Sequence, residues 1–237
     1  MGRPGRVAVV VVVVVVAVSG WLYAFAPQSL PTALTEPFRG PEAPSSPRVY
    51  DDGSYRFART QPSGRGPVGY DPCRPVDVQV NLDGAPEGAL AMVRTTLSRI
   101  HRASGLDLRL DGTTDRRPGR VLGGRPVLVA WSTPTAVPEL KGDVVGIGGS
   151  AAPAQPRGDA DATVHYVTGQ LVLDRQDFAD LGDTSRQAVL DHEMGHVVGL
   201  AHVDDRDELM YPRAHGVTRF GHGDLTGLAL LGRVPCA

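Results

Sequence analysis

Periodic patterns of apolar and polar residues begin at about residue 68. Residues 76–82 alternate with a period of two, which predicts a strand with one buried face. The next apolar residues recur every three or four positions and predict an amphipathic helix. These residues are Leu90, Val93, Leu97 and Ile100. Residues 106–110 alternate again and residues 127–131 are entirely apolar, so both stretches are predicted as strands.

The second half of the periodic region adds a strand over residues 144–147. Residues 162–167 and 170–173 resemble the two arms of a hairpin that turns at Thr168 and Gly169. These patterns predict further strands of the same sheet.

Two more helices follow these strands. A long helix is predicted over residues 184–200, where Thr184 and Gln187 have the spacing of a capping box. The last helix covers residues 224–231, with Asp224 as its expected cap. Strands and helices in this order predict an α+β fold in which a mixed sheet is covered by two long helices.

The N-terminal segment has a different pattern. Two arginines precede an apolar run over residues 7–26, which is long enough to span a bilayer. Residues 24–26 also have the small-x-small form of a signal-peptidase site. Residues 1–26 are therefore predicted as a signal anchor or a cleaved signal peptide. Either alternative places the rest of the chain outside the cytoplasm, as a single-pass membrane-anchored or a secreted protein.

Residues 27–67 are rich in Pro, Ser, Gly and Arg and lack periodicity, so they are predicted as a tether. Residues 68–237 then remain as one domain of ordinary size. The formal net charge of −2 predicts no nucleic-acid partner.

Cys73 and Cys236 stand near the two ends of this predicted domain. Exported proteins form disulfides, so a bond between these residues would join the ends of the domain. A free Cys73 thiol that binds a metal as a latch is the alternative.

Residues 191–202 contain three histidines whose spacing predicts a metal site. His192 and His196 are four residues apart and therefore lie on one face of the helix. Gly199 can end the helix in a left-handed conformation, so that the chain turns back and His202 reaches the same ion. Three imidazoles with an open fourth position are typical of catalytic zinc.

Glu193 follows the first histidine and is predicted to project into the same cavity without binding the metal. There it would act as general base toward a zinc-activated water and later pass the proton to the leaving amine. The pattern thus predicts a zinc-dependent endopeptidase. Three satisfied surface histidines are the alternative, which leaves Glu193 and Gly199 unexplained.

The motif His-Glu-x-x-His-x-x-Gly-x-x-His, followed by Leu209-Met210-Tyr211-Pro212, resembles the metzincin zinc peptidases and within them the matrixins, of bacterial type. The resemblance implies a twisted five-stranded sheet and a C-terminal helix after a methionine turn. It also implies that Met210 forms an apolar floor beneath the three ligands. A substrate would lie extended along an edge strand, for which residues 146–152 are the candidate, and residues 212–214 would form a pocket wall.

The sequence also departs from that family. Matrixins hold a structural zinc with histidines near the edge strand, but residues 132–152 contain none, so that site is predicted to be absent. Cys73 does not lie in a cysteine-switch sequence. The spacing of the acidic residues after the third histidine does not support calcium, and a solvated turn is expected there. These acids are Asp204, Asp205, Asp207 and Glu208. The predicted cofactor is one catalytic zinc ion.

Four further histidines lie outside the motif. His101 is expected at the surface and His165 in a half-exposed strand, whereas His215 and His222 are candidates to line the cleft. Peptides or proteins are the expected substrates, with the membrane as a partner if the first segment is uncleaved, and we expect a monomer. A catalytically lapsed extracellular zinc-containing binding module and an enzyme for peptidoglycan cross-links remain as alternatives.

Overall fold

The computed structural model describes residues 46–120, 124–153 and 163–237. The N-terminal apolar run, residues 27–45 of the predicted tether and residue 162 of the expected hairpin lie outside these ranges. Within them, no helix has both the length and the apolar character needed to cross a membrane.

The described ranges contain seven strands and four α-helices. The strands are β1 (Gly69–Tyr70), β2 (Val76–Asn81), β3 (Leu108–Thr113), β4 (Val127–Ser132), β5 (Gly146–Ala151), β6 (His165–Tyr166) and β7 (Thr168–Asp174). The helices are α1 (Ala89–Ser104), α2 (Arg175–Asp180), α3 (Asp183–Val198) and α4 (His222–Leu231).

Five of the strands form one mixed sheet in the order β3-β2-β4-β7-β5. The strands pair in parallel except β5, which runs antiparallel to β7 at the edge of the sheet. All six residues of β4 are buried, as expected for the apolar run that the sequence places at the centre of a sheet. The predicted α+β fold and the five-stranded mixed sheet are thus confirmed.

The long helices α1 and α3 pack against each other, and α3 also packs against β5. The periodic residues of α1 form its buried face, since Val93 and Ile100 are fully buried and Leu97 nearly so. Helix α3 therefore has one face against α1 and another against the edge strand β5. The polar residues on these two faces lie in different surroundings, and the site described below is on the face near β5.

The expected hairpin at Thr168 and Gly169 is wrong. Both residues lie inside β7, which pairs with β5, whereas β6 pairs in parallel with β1. A Cβ on Gly169 would lie 2.3 Å from Ser150 Oγ. The glycine therefore permits close contact with β5 and does not mark a turn.

The expected capping box of α3 is also wrong. The N-cap is Gly182, which makes no side-chain cap. The Gln187 amide instead donates to Thr96 Oγ1, at 2.7 Å, because tertiary contacts to α1 are available to it. Asp224 is not the N-cap residue of α4, because the helix begins at His222 and its N-cap is Gly221. From the third helical position its carboxylate accepts the N–H of Gly221 at 3.2 Å, as the acid of a capping box does.

The described part of the predicted tether contacts the folded domain. Ala58 N–H donates to the Gly199 carbonyl at 2.8 Å, and Ala201 N–H donates to the Arg56 carbonyl at 2.7 Å. Tyr50 N–H donates to Thr226 Oγ1 at 2.8 Å. Residues 46–67 thus belong to the same compact unit as the domain, because their backbone groups find partners there that no periodic pattern reveals.

Cys73 and Cys236 are joined in a disulfide, with their Cα atoms 5.6 Å apart. Neither thiol is free in this structure. The bond links the loop before β2 to the C-terminal residues after α4.

Candidate active site

The three motif histidines converge at the end of α3. Nε2 of His202 lies 3.1 Å from Nε2 of His192 and 3.0 Å from Nε2 of His196. One nitrogen from each of the three residues can be chosen so that all lie within 4.8 Å of one another. His192 and His196 project from one face of the helix, and His202 comes from the loop that follows.

Gly199 makes this loop fold back. Its φ of 125° lies where side chains are strained, and its N–H donates to the carbonyls of Gly195 and His196 at 3.1 and 3.2 Å. A Cβ at this position would lie 2.9 Å from Leu231 Cδ2 and 3.1 Å from the Val68 carbonyl oxygen. Both the backbone conformation and the space available require glycine, as expected from the sequence.

Residues 56–58 hold the loop between the second and third histidines, a contact that the sequence analysis missed. Phe57 and Leu200 form an antiparallel bridge, flanked by the hydrogen bonds to Gly199 and Ala201. The signal in the sequence is the group of aromatic residues Tyr50, Tyr55 and Phe57, which favours a brief local strand but names no partner for it. The N-terminal segment thus fixes the backbone from which His202 projects.

Backbone carbonyls set the tautomers of the two helical histidines. Nδ1 of His192 lies 2.7 Å from the Leu209 carbonyl oxygen, and Nδ1 of His196 lies 2.9 Å from that of Leu200. A carbonyl oxygen only accepts, so each Nδ1 carries the proton and each Nε2 presents a lone pair. Hydrogen bonds of this kind to the second ring nitrogen orient histidine ligands in metal sites.

These donor atoms fit a zinc ion. Tetrahedral coordination at about 2.0–2.1 Å per nitrogen places ligand nitrogens about 3.3 Å apart, close to the separations of 3.0 and 3.1 Å around His202. Burial, and for His192 also the neighbouring His196, lowers the pKa of His192 and His196 to about 4, so both rings are neutral at pH 7. Lone pairs gathered this closely repel unless a cation lies between them.

Glu193 is buried beside these histidines, with 7 % of its surface exposed. Burial raises the pKa of its carboxyl group to about 8. Strand β5 lies directly against this side chain, since a Cβ on Gly146 would be 2.9 Å from Glu193 Cγ. The carboxyl group therefore sits between the active-site helix and the edge strand.

The glycines of β5 allow this close contact. A Cβ on Gly148 would lie 2.1 Å from the Glu193 carbonyl oxygen, whereas one on Gly149 would meet nothing within 4 Å. Ser150 Oγ donates to the Val197 carbonyl at 2.7 Å and fastens the strand to α3. Gly146 and Gly148 therefore accommodate the active-site helix.

Met210 is almost fully buried below the same helix. A Cβ on Gly195 would lie 2.7 Å from Met210 Sδ, so the thioether packs where the helix carries no side chain, between His192 and His196 in sequence. This position agrees with the apolar floor that the resemblance implied.

Buried carboxylates hold the turn around Met210. Asp224 Oδ2 accepts the N–H groups of Leu209 at 2.6 Å and Met210 at 3.4 Å. Glu208 accepts the N–H groups of Gly223 and Asp224, each at 2.8 Å, and is 1 % exposed. The expectation of a solvated turn is therefore wrong for Glu208, whose burial depends on contacts with α4.

Tyr211 and Pro212 follow this turn. The Tyr211 ring packs edge-on against His215, with centroids 4.9 Å apart, and Arg206 lies over the same ring. Pro212 is exposed. The Nδ1 of His215 bonds to the Arg213 carbonyl at 2.7 Å, which ties this histidine to the loop after the turn.

Other histidines lie in different surroundings. His222 stacks on Tyr50 at 4.1 Å and bonds to Asp52 at 2.8 Å, so it contacts the N-terminal segment. His101 is exposed, as expected, whereas His165 is buried and not half-exposed, because β6 is covered on pairing with β1.

Asp191 immediately precedes the first histidine but faces α1. Its carboxylate accepts from Thr96 Oγ1 at 2.6 Å and from the Gln187 amide at 3.1 Å, and it pairs with Arg99. It is fully buried. The sequence shows an acid one residue before a metal ligand on a helix but does not reveal its partners on α1.

Comparison with known families adds an independent finding. Residues 146–227 match the model of the matrixin family of peptidases, a range that runs from β5 into α4. It therefore includes the edge strand, the three histidines, Glu193 and the turn at Met210. No curated protein compared with the chain gives a match. The family match and the α+β fold together support a matrixin-like zinc metallopeptidase domain in this chain.

Proposed function

We propose that this protein is a zinc-dependent endopeptidase that hydrolyses peptide bonds in extracellular or envelope proteins. One observation carries the proposal: three histidine nitrogens converge next to a buried carboxyl group. His192, His196 and His202 would hold the ion, and Glu193 would be the general base. The family match supports a peptidase in general.

A bound zinc ion would supply a Lewis acid that polarises the scissile carbonyl and makes a water molecule more acidic. The Glu193 carboxylate accepts a proton from the attacking water and then delivers it to the leaving amine nitrogen. Burial raises the pKa of this carboxyl group to about 8, which favours holding the proton between the two steps, and a cation bound by the three imidazoles would favour the ionised form that accepts it. The carbonyls of Leu209 and Leu200 keep two of the imidazoles oriented throughout.

The edge strand β5 would bind the substrate. Its pairing with β7 uses one side of the strand, so the other side offers main-chain N–H and C=O groups to an extended peptide. Main-chain bonds of this kind recognise a peptide irrespective of its side chains. Recognition of this kind is consistent with an endopeptidase, which cuts within protein chains. The preference for particular substrate side chains would then be determined near residues 212–214.

An extracytoplasmic location is part of the proposal. The apolar segment at residues 7–26 and the disulfide between Cys73 and Cys236 support it, since stable disulfides are typical of exported proteins. The segment would anchor the protein if it is uncleaved. The protein would act as a monomer.

The decisive experiment compares the full-length chain with its Glu193→Gln variant. Zinc content is measured by mass spectrometry, and cleavage is measured on a diverse peptide library. We expect about one zinc per chain in both proteins and cleavage by the parent alone.

If both proteins hold zinc and neither cleaves any peptide, the endopeptidase proposal fails and a zinc-containing binding module replaces it. Equal cleavage by both proteins would remove Glu193 from the chemistry. His101→Ala serves as the control, because this exposed histidine lies on α1 and its loss should change neither reading.

A further inference from the structure

A cavity of about 490 Å³ lies behind the active-site helix and contains four arginines. These are Arg48, Arg99, Arg102 and Arg219. They come from three separate parts of the chain, namely the N-terminal segment, helix α1 and the loop before α4. The volume is in the range of cavities that bind small molecules.

Charge in this cavity is strongly unbalanced. Among the described residues, Asp191 is the only acid that lines the cavity, and it is already engaged by Arg99, Thr96 and Gln187. Within the described ranges, Arg48 and Arg219 form no salt bridge and Arg102 bonds only to a neighbouring serine hydroxyl. Converging like charges repel one another and raise the local positive potential.

We propose that this cavity is a binding site for a small ligand that carries two or more tetrahedral oxyanion groups in the form of phosphate or sulfate esters. Guanidinium groups bind such oxyanions through paired N–H donors, which a lysine cluster would not provide. Tyr50 and Phe220 line the cavity beside the arginines and provide aromatic surface for the uncharged part of the ligand. The cavity volume leaves room for that part as well as the charged groups.

The site is separate from the three histidines, which are absent from its lining. It nevertheless touches α3, because Arg99 lines the cavity and pairs with Asp191, the residue before His192. A ligand would therefore bind on the opposite side of the helix from the proposed chemistry. Its binding does not depend on whether the protein is a peptidase.

Binding is tested by calorimetric titration of the full-length chain at fixed ionic strength with two probes. Fructose 1,6-bisphosphate supplies phosphate esters, and a disulfated disaccharide supplies sulfate esters. The test variant is Arg48→Gln/Arg219→Gln, in which neither arginine forms a salt bridge in the described ranges. The matched control Arg65→Gln/Arg94→Gln removes the same charge from exposed positions outside the cavity.

We expect saturable binding of one probe per chain, at least tenfold weaker in the test variant and unchanged in the control. Preference for one probe then identifies the ester class. The proposal is overturned if neither probe binds saturably to the parent. It is also overturned if both variants lose affinity equally, which indicates general charge attraction, or if both retain it, which places the anion elsewhere, including at the metal.

Discussion

Asp191 and His192 are neighbours on α3, yet the polar group of Asp191 has several hydrogen-bond partners within the protein and the Nε2 atom of His192 faces another imidazole nitrogen. The Asp191 carboxylate has three partners from α1 and its own helix. The Nε2 of His192 instead faces the Nε2 of His202. The rings of His192 and His196 both donate from Nδ1 to a backbone carbonyl, so the Nε2 of His196 is no donor to the Nε2 lone pair of His192. On the side of the helix that faces α1, the polar groups are hydrogen-bonded within the protein. On the other side, which we call the open side, the Nε2 atoms of the histidines face one another.

This difference separates stability from chemistry along a single helix. A buried polar group that is fully paired favours one packing of α3 on α1. Histidine lone pairs without a hydrogen-bond donor lower the stability of the metal-free protein, and they contribute to function only when a metal ion binds. Substitutions on the two sides should therefore change different measurable quantities.

The largest expected effect is on folding, from Asp191→Ala. Removing a buried ion-pair partner costs about 3–5 kcal/mol, and the lower end applies because Arg99 keeps 29 % of its side chain exposed. The free energy of unfolding, measured with urea, should fall by about 3 kcal/mol. Zinc affinity of the folded protein should change less than tenfold.

Asp183→Ala is the matched control on the same helix, since that carboxylate is 95 % exposed and its pairing with Arg186 is a surface contact. Equal stability of the two variants would mean that the network around Asp191 contributes nothing. A large loss of zinc affinity in folded Asp191→Ala would mean that the two sides of the helix are not independent.

The opposite result is expected for His192→Ala. Loss of one of three ligands should weaken zinc binding at least about 100-fold, more than the loss of a supporting residue. The metal-free protein should keep most of its stability, because the removed ring faced other lone pairs. Competition with a chelating dye measures the affinity, and an unchanged value would exclude this residue as a ligand.

Glycine substitutions in β5 test whether close packing holds the open side in place. Gly148→Ala places a methyl group 2.1 Å from the Glu193 carbonyl oxygen and should cost about 2 kcal/mol through overpacking. Gly149→Ala meets no atom within 4 Å and should change stability by less than about 0.5 kcal/mol. Thermal unfolding of the two variants compares them directly, and equal melting temperatures would contradict this account.

Asp224 is an intermediate case, because one of its oxygens is paired and the other, Oδ1, is buried without a partner in the described ranges. Burial, followed by the nearby Glu208, raises its pKa from 3.8 to about 7. The folded state then binds more protons than the unfolded state between these values. Stability should fall as pH rises through that window, by at most about 1.4 kcal/mol per pH unit.

Asp224→Asn tests that sign. The amide oxygen can still accept the N–H groups of Leu209 and Gly221, while the titrating proton is gone. Urea unfolding of the metal-free proteins from pH 4 to 7 should give a flatter dependence in the variant. A parent protein that gains stability relative to the variant with rising pH would reverse our assignment.

The sequence predicts the open side of α3 well because its geometry is local. Helical spacing of four residues brings His192 and His196 together, and Gly199 can adopt the conformation that returns His202. The same periodicity located α1, whose buried residues recur as predicted. The strand order and the partner of each carboxylate, by contrast, depend on residues far apart in the chain.

Those distant contacts explain what the sequence analysis missed. The Glu208 carboxylate looks like part of an acidic surface turn until α4 covers it. Gly169 looks like a turn residue until β5 lies beside it. Residues 56–58 carry no periodic signal because they pair with a loop by a single bridge. In each case the deciding partner is more than ten residues away, where neither periodicity nor capping rules apply.

The disulfide between Cys73 and Cys236 closes a covalent ring across a sequence separation of 163 residues. A peptidase can itself be cleaved by other copies or by other peptidases. One cleavage inside this ring leaves the two fragments covalently joined, so the three histidines remain on the same molecule. Residues 46–72 lie outside the ring. A cut there would free the segment that pairs with the loop before His202, so the part of the described domain least protected by covalent linkage is the one that supports the third histidine.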